Sequence, residues 1–335
     1  MNYELKDMKQ NIKNIINLLV TLIVVLTFTS CNDEWKDEQY EKYVSFVRSG
    51  YNDTYLNTNT ANGVVHYKIP IIVSGSTKND RNINVSVALD PDTLYQHNQS
   101  TFFTRQDLYY RQLDEKYYSF PKGMTVTIPA GEEVGILDVD FKVRDLDLVE
   151  KYILPLQINS TSEYIPSPKM GYKKTLIRVV PFNYFSGSYS AGAANIYLDD
   201  PSRDANPTTV ATREMRYVND STVFFYAGLC EETARDRATY KIRAKFNSDN
   251  TLTLSADSSV IEFTPERATW TIKEEMDVLR PYLLIRTLTI DTYYTYLDIT
   301  NPSYKVKYYV SGFYTLERRR NTQIPEEDQQ EIFDW

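Results

Sequence analysis

From residue 43 to residue 320, apolar and β-branched positions fall in runs of four to eight, alternating with polar ones and separated by Gly, Asn, Asp, Ser and Pro. That rhythm marks short β-strands rather than helices. Between Tyr43 and Val180 it predicts strands near Val44–Val47, Val64–Val73, Asn84–Leu89, Met124–Ile128, Val134–Val143, Tyr152–Asn159 and Thr175–Val180. Seven short strands at this spacing indicate a two-sheet sandwich of immunoglobulin-like type. The stretch from Asp92 to Phe120 is rich in Tyr, Gln, Asn and charge, and reads as a short helix followed by an irregular excursion.

Pro181 closes this unit. The second carries strands near Glu214–Val218, Val223–Leu229, Ala238–Phe246, Thr251–Ser255, Ile261–Pro265, Ala268–Ile272, Leu283–Ile290, Tyr293–Ile299 and Tyr304–Leu316, with Asn247-Ser248-Asp249-Asn250 as a hairpin loop. Consecutive hairpins without crossover helices favour an up-and-down β-barrel. The expected fold class is all-β, and no internal repeat relates the halves.

The N-terminus breaks this pattern. Lys9 and Lys13 precede an apolar run from Ile15 to Phe28, which is too short to span a hydrocarbon core of ~30 Å. The run ends in Leu26-Thr27-Phe28-Thr29-Ser30-Cys31, and the acidic pairs Asp33-Glu34 and Asp37-Glu38 follow at once. The segment resembles a bacterial lipobox with its signal peptide. That resemblance implies cleavage before Cys31, a diacylglyceryl thioether on its sulfur and an N-acyl chain, which together give stable membrane tethering. The chain then divides into a signal peptide (1–30), an acidic tether (31–42), a sandwich domain (43–181), a barrel domain (182–320) and a tail (321–335).

Composition narrows the chemistry. The formal net charge is -8, and an acidic chain repels phosphate backbones, so nucleic acid is not an expected partner. The one dense basic run, Arg318-Arg319-Arg320, reads as a solvated strand end. With Cys31 lipidated, Cys230 has no partner for an intrachain disulfide. His66 and His97 are the two histidines. His66 alternates within a strand pattern, and His97 reads as a turn residue. No HExxH-like pair, cysteine pair, nucleophile elbow or glycine-rich phosphate loop accompanies them, so no metal or cofactor is expected.

Val87-Ala88-Leu89-Asp90, Tyr95-Gln96-His97-Asn98, Val126-Thr127-Ile128-Pro129-Ala130-Gly131 and Lys151-Tyr152-Ile153-Leu154-Pro155-Leu156-Gln157-Ile158 resemble the N-terminal immunoglobulin-like domain of unknown function in Bacteroidetes surface lipoproteins. At Leu113-Asp114 the chain departs from the Leu-Pro usual there. Ser186-Gly187-Ser188-Tyr189, Phe224-Phe225-Tyr226-Ala227-Gly228, Val310-Ser311-Gly312-Phe313-Tyr314-Thr315-Leu316-Glu317-Arg318 and Ile324-Pro325-Glu326-Glu327-Asp328-Gln329 resemble their calycin-like (lipocalin-like) partner domain. The resemblance implies an outer-membrane lipoprotein facing the cell exterior. It further implies glycan capture beside a starch-utilisation-type importer, or a structural and protein-interaction role in that importer complex. The acid cluster after Cys31 is similar to the surface-export signal of that phylum; an acidic flexible tether is the alternative.

Tyrosine is in excess, 28 against 14 Phe and 3 Trp. A phenol stacks its face on sugar C–H groups and hydrogen-bonds hydroxyls at its tip, although the same residue suits half-buried strands. Three clusters are candidates for glycan binding. Tyr294, Tyr296 and Asp298 share one strand face, which is either core or an exposed aromatic pair beside a carboxylate. Trp270 is either core packing or a platform. Tyr109, Tyr110, Tyr117 and Tyr118 lie in the irregular excursion, where loops carry function on a rigid scaffold. The barrel residues are the favoured ones, because barrel mouths and domain interfaces are usual pocket sites. A glycosidase needs only two suitably spaced carboxylates and is the enzymatic alternative. Asp138, Asp140, Asp145 and Asp147 read more simply as solvent-facing or turn residues, so no catalytic residue is assigned.

Overall fold

A computed structural model describes residues 13–19, 37–59, 63–144, 146–169, 171–198, 202 and 206–325. Residues 13–19 are helical and exposed; no described helix is long and apolar enough to cross a membrane. Cys31, the rest of the expected signal peptide and Asp145 lie outside the described residues.

The first unit is a two-sheet sandwich. One sheet has the order β10 (Ile165–Pro166), β1 (Tyr43–Phe46), β3 (Val65–Ser74), β8 (Val134–Phe141) and β6 (Tyr118–Ser119). The other has the order β2 (Gly50–Asn57), β11 (Lys174–Phe182), β9 (Tyr152–Thr161), β4 (Ile83–Leu89) and β7 (Thr125–Ile128), with β5 (Arg111–Gln112) beside β9. Alternation places Val44, Ile71, Val85, Ile128, Leu137, Val139, Leu154 and Val179 between the sheets. Strand β9 is buried on both faces from Ile153 to Leu156. The helix Pro91–Phe102 covers its outer side, where Leu94 packs with Ile153 and Leu176.

That helix begins where the chain can start one. Pro91 opens it, and the buried carboxylate of Asp90 accepts from the Thr93 amide (3.1 Å) and hydroxyl (2.6 Å) while pairing with Lys174 at 2.9 Å. His97 therefore lies on a helix, not in a turn. Strand β2 lacks the expected sequence signal because Gly-Tyr-Asn-Asp-Thr-Tyr-Leu-Asn is mostly polar; its parallel pairing along β11 makes it a strand.

The second unit is an eight-stranded up-and-down meander: β12 (Gly187–Leu198), β13 (Thr212–Asn219), β14 (Thr222–Tyr226), β15 (Lys241–Phe246), β16 (Leu252–Ala256), β17 (Thr264–Met276), β18 (Leu283–Asp298) and β19 (Val306–Asn321). Strands β12 and β19 pair antiparallel, and a single bridge from Thr251 to Thr269 nearly closes the barrel between β16 and β17. Two pairs of expected strands are single long ones, β17 and β18. Strand β12 escaped the pattern because Gly, Ala and Ser dominate it. Close approach accounts for the small residues: a Cβ on Gly312, at φ +136°, would sit 2.1 Å from the Ala193 carbonyl oxygen.

Side chains fill the barrel. Tyr189, Met215, Phe225, Tyr240, Ile242, Tyr294, Tyr296 and Tyr314 are packed in its interior. The loop after β14 folds against this interior. The Tyr294 and Tyr296 hydroxyls accept from the amides of Gly228 and Leu229, both at 3.2 Å, while buried Arg213 donates to the carbonyls of Gly228 and Cys230. Gly228, at φ +46°, fits because a Cβ there would lie 2.1 Å from the Tyr296 hydroxyl.

The turn Asn183–Ser186 joins the units. Buried Asn183 accepts from the amides of Phe185 (2.9 Å) and Ser186 (2.8 Å) and donates to the Asn219 carbonyl (2.8 Å). Arg318 is not a solvated strand end: it reaches back to donate to the carbonyls of Asn183 and Ser186, and burial pushes its guanidinium down to about 10. Tyr217, Phe224 and Tyr226 leave the barrel wall to join the sandwich core cluster that holds Val143, Leu146, Leu148 and Val149. Around them Lys241 pairs with Asp147 at 2.8 Å, and Arg237 donates to the Asp107 carbonyl at 2.9 Å.

The shared cluster predicts that the two units unfold together. Phe224→Ala should cost about 3–5 kcal/mol, and scanning calorimetry should show one transition that moves down as a whole. A sandwich transition unmoved by the substitution would show that the interface is no part of its core.

Candidate functional site

Tyr51, Asp53 and Tyr55 alternate along the outer face of β2, opposite Thr54 and Leu56, which are buried. In the parallel register Asp53 lies beside Arg178 of β11, whose Nη1 donates to its carboxylate at 3.1 Å and to the Tyr51 hydroxyl at 3.4 Å. His97 projects toward Tyr51 from the covering helix, and Tyr110 comes from the segment after it. The three rings form a near-parallel panel. Tyr51 and His97 are 5.2 Å apart at 14°, Tyr51 and Tyr110 5.6 Å at 23°, and His97 and Tyr110 5.8 Å at 12°. Phe102 meets Tyr110 edge-on at 5.1 Å and 81°.

The backbone beneath the panel is pinned. Buried Asn98 donates to the Tyr110 carbonyl and accepts from its amide, both at 2.9 Å. The Tyr51 and Tyr110 hydroxyls lie 3.3 Å apart. Tyr51 remains 36% exposed, and His97 and Tyr110 are half-buried. Burial pushes the Tyr51 phenol up, reinforced by hydrogen bonds with Tyr110 and Asp53. Burial also pushes the His97 imidazole down. At neutral pH Tyr51 and His97 are therefore uncharged, and the stacked rings, bordered by hydroxyls and the Arg178–Asp53 pair, suit a polar molecule with apolar C–H faces.

The sequence-predicted residues divide. Tyr110 belongs to the panel; Tyr109 packs near it against Phe102 and donates to the Phe103 carbonyl at 2.7 Å. Tyr117 and Tyr118 stand apart. Tyr118 is in the sandwich core with its ring edge-on to Phe120, and Tyr117 packs against that core under Lys116. Tyr294 and Tyr296, at 0% and 1% exposure, are barrel core and not an exposed aromatic pair. Asp298 accepts from Tyr240 (2.9 Å) and the Thr300 amide (2.9 Å), a local closure of the chain. Trp270, partly buried, packs edge-on against Phe185 and Phe246 and donates to the Asn247 carbonyl at 3.2 Å beside the β16–β17 seam. Sequence reasoning missed Tyr51 and His97; the spaced tyrosines of β2 were the available signal.

Among the described residues, no three His, Cys, Asp or Glu side chains are grouped to hold a metal. Asp138, Asp140 and Asp147 pair with Lys122, His66 and Lys241. Cys230 is half-buried, and burial pushes its thiol up to about 12.

Residues 35–162 match a family described as a domain of unknown function (DUF4973), and residues 173–314 match a separate C-terminal domain family. A structure of unknown function from Bacteroides ovatus is 39% identical, with a TM-score of 0.78 over 86% of this chain and 99% of that one. A multidomain protein including DUF1735, also from Bacteroides ovatus, is 38% identical, with a TM-score of 0.76 over 86% and 99%. An auxiliary nutrient binding protein from Bacteroides thetaiotaomicron is 33% identical, with a TM-score of 0.74 over 84% and 94%. No curated protein matches the chain.

The depressed His97 value sets a pH dependence. Folding disfavours the charged imidazole, so its contribution is intact above pH ~6.5, the unfolded value, and is lost as pH falls through the folded one. Urea titrations of wild type and His97→Gln at pH 7.5 and pH 5 should show the wild type losing more stability on acidification. Equal losses would mean that His97 keeps its ordinary affinity for the proton.

Proposed function

The chain belongs to the family of two-domain Bacteroides proteins represented by these structures, and from that membership we propose that it is an outer-membrane surface lipoprotein that captures glycans. The carrying observation is the Tyr51–His97–Tyr110 panel: three near-parallel rings, pinned from below and reachable from solvent. Aromatic faces pack against sugar C–H bonds, while the phenol tips and Arg178–Asp53 answer hydroxyls. The description of one relative as an auxiliary nutrient binding protein supports the reading. A second reading, a protein-contact subunit of an importer complex, draws on Val278 and Leu279 at the tip of the β17–β18 hairpin, 95% and 90% exposed. Co-purification with an importer in the absence of glycan binding is the outcome that favours it.

Replacing Tyr51 and Tyr110 with Ala should weaken glycan binding at least about tenfold at a cost near ~1 kcal/mol per site in stability. Affinity gels and glycan arrays, with reducing ends monitored to separate capture from hydrolysis, are the measurement. Replacing Tyr294 and Tyr296 should instead cost about 3–5 kcal/mol each through the barrel core. Unchanged affinity in the Tyr51 and Tyr110 variant would remove the panel as the site.

The anchor has its own test. Cys31→Ala removes the sulfur that the thioether needs, so fatty-acid labelling of the protein in cells should disappear. Equal label in wild type and variant would exclude lipidation at Cys31.

A further inference from the structure

Arg178 borders a second feature, a crevice of about 160 Å³ between the two units. Tyr55, Glu150, Lys151 and Arg178 come to it from the sandwich, and Glu214 and Arg216 from β13. Tyr51 and Tyr55 share a face of β2 and stand about 13 Å apart along the strand, so the panel and the crevice lie along one strand face with the Arg178–Asp53 pair between them.

The charges at this crevice are uneven. Glu232 is shared, accepting from Arg216 and pairing with Lys151 at 3.4 Å. Asp53 pairs with Arg178 at 3.1 Å, and Glu150 divides between Arg111 (3.3 Å) and Arg237 (3.4 Å). Glu214 is exposed on the wall. Three lining cations, Lys151, Arg178 and Arg216, therefore meet two lining carboxylates, Glu150 and Glu214, and with their ion-pair partners the tally is five against four, in a chain whose net charge is -8. Burial, with Arg216 and Arg178 nearby, pushes the Lys151 ammonium below its ordinary range despite the attraction of Glu232. Beyond ~8 Å the overall negative charge is screened at physiological salt, so an incoming anion meets chiefly this local surplus.

We propose that the crevice takes the carboxylate of a uronic-acid residue while the aromatic panel holds a sugar ring two or three residues along the same chain, making acidic polysaccharide the ligand class. The inference rests on the glycan-capture reading. Lys151 and Arg178 supply charge-assisted hydrogen bonds to the carboxylate, and the guanidinium adds planar, directional donors. The anion restores charge balance around the shared Glu232.

The test is calorimetric titration of the two-domain chain with a panel of uronate oligosaccharides, each matched to its carboxyl-reduced, neutral counterpart. Carboxyl reduction should weaken binding at least tenfold. Affinity for the acidic form should fall between 50 and 500 mM NaCl while that for any neutral ligand holds. Lys151→Gln should erase the preference without removing neutral binding, and the salt series on unmodified protein separates the same outcomes should that variant fold poorly. Equal affinity for acid and reduced forms, or binding of neutral glycans alone, would overturn the inference and leave glycan capture standing. Binding of no glycan in either set would overturn both.

Discussion

Burial of Tyr217, Phe224 and Tyr226 against the sandwich core is the contact on which the rest of the molecule depends. Each ring is an aromatic side chain of the barrel wall whose removal from water contributes ~1.5–3 kcal/mol, and together they fix the barrel on the sandwich. The crevice lies across the interface that this attachment forms. Lys151 comes from one unit and Glu232 from the other, and their 3.4 Å pairing crosses the same interface.

The tyrosine excess then acquires two explanations. Inside the barrel, phenols supply bulk and direct their hydroxyls to backbone amides that a filled interior would otherwise leave unpaired, as Tyr294 and Tyr296 do at Gly228 and Leu229. On the sandwich, Tyr51 and Tyr110 keep their hydroxyls near the surface and near each other. The barrel follows a meander able to enclose ligands, yet here it serves as a packed support, and the candidate surface moves to the other unit.

Strands with regular apolar alternation were legible in the sequence, β3, β4, β7 and β8 among them, as was the pairing of a sandwich with a barrel-like sheet. Strands β2 and β12 were not, since one exists through its pairing with β11 and the other through tight approach to β19. That failure hid Tyr51. The alternation around Tyr294 correctly grouped Tyr294 with Tyr296, but periodicity assigns residues to a face without saying which face is inside. Only the curvature of the nearly closed sheet decides it. Asn98 entered only within the Tyr95-Gln96-His97-Asn98 stretch that carried the family resemblance, and its role in holding Tyr110 required the fold.

The pairings of β2 with β11 and of β12 with β19 join segments lying near opposite ends of their own units, and this shapes how the chain reaches its native state. Closing such loops costs entropy before any contact offsets it, so β-rich chains of this topology fold on the scale of milliseconds to seconds. Until β12 finds β19, the barrel has an open edge with unpaired amides and carbonyls, and its aromatic interior is reachable by other chains. The β12–β19 pairing, made through the close approach of Gly312 to Ala193, is therefore also the step that removes this edge from reach of other chains.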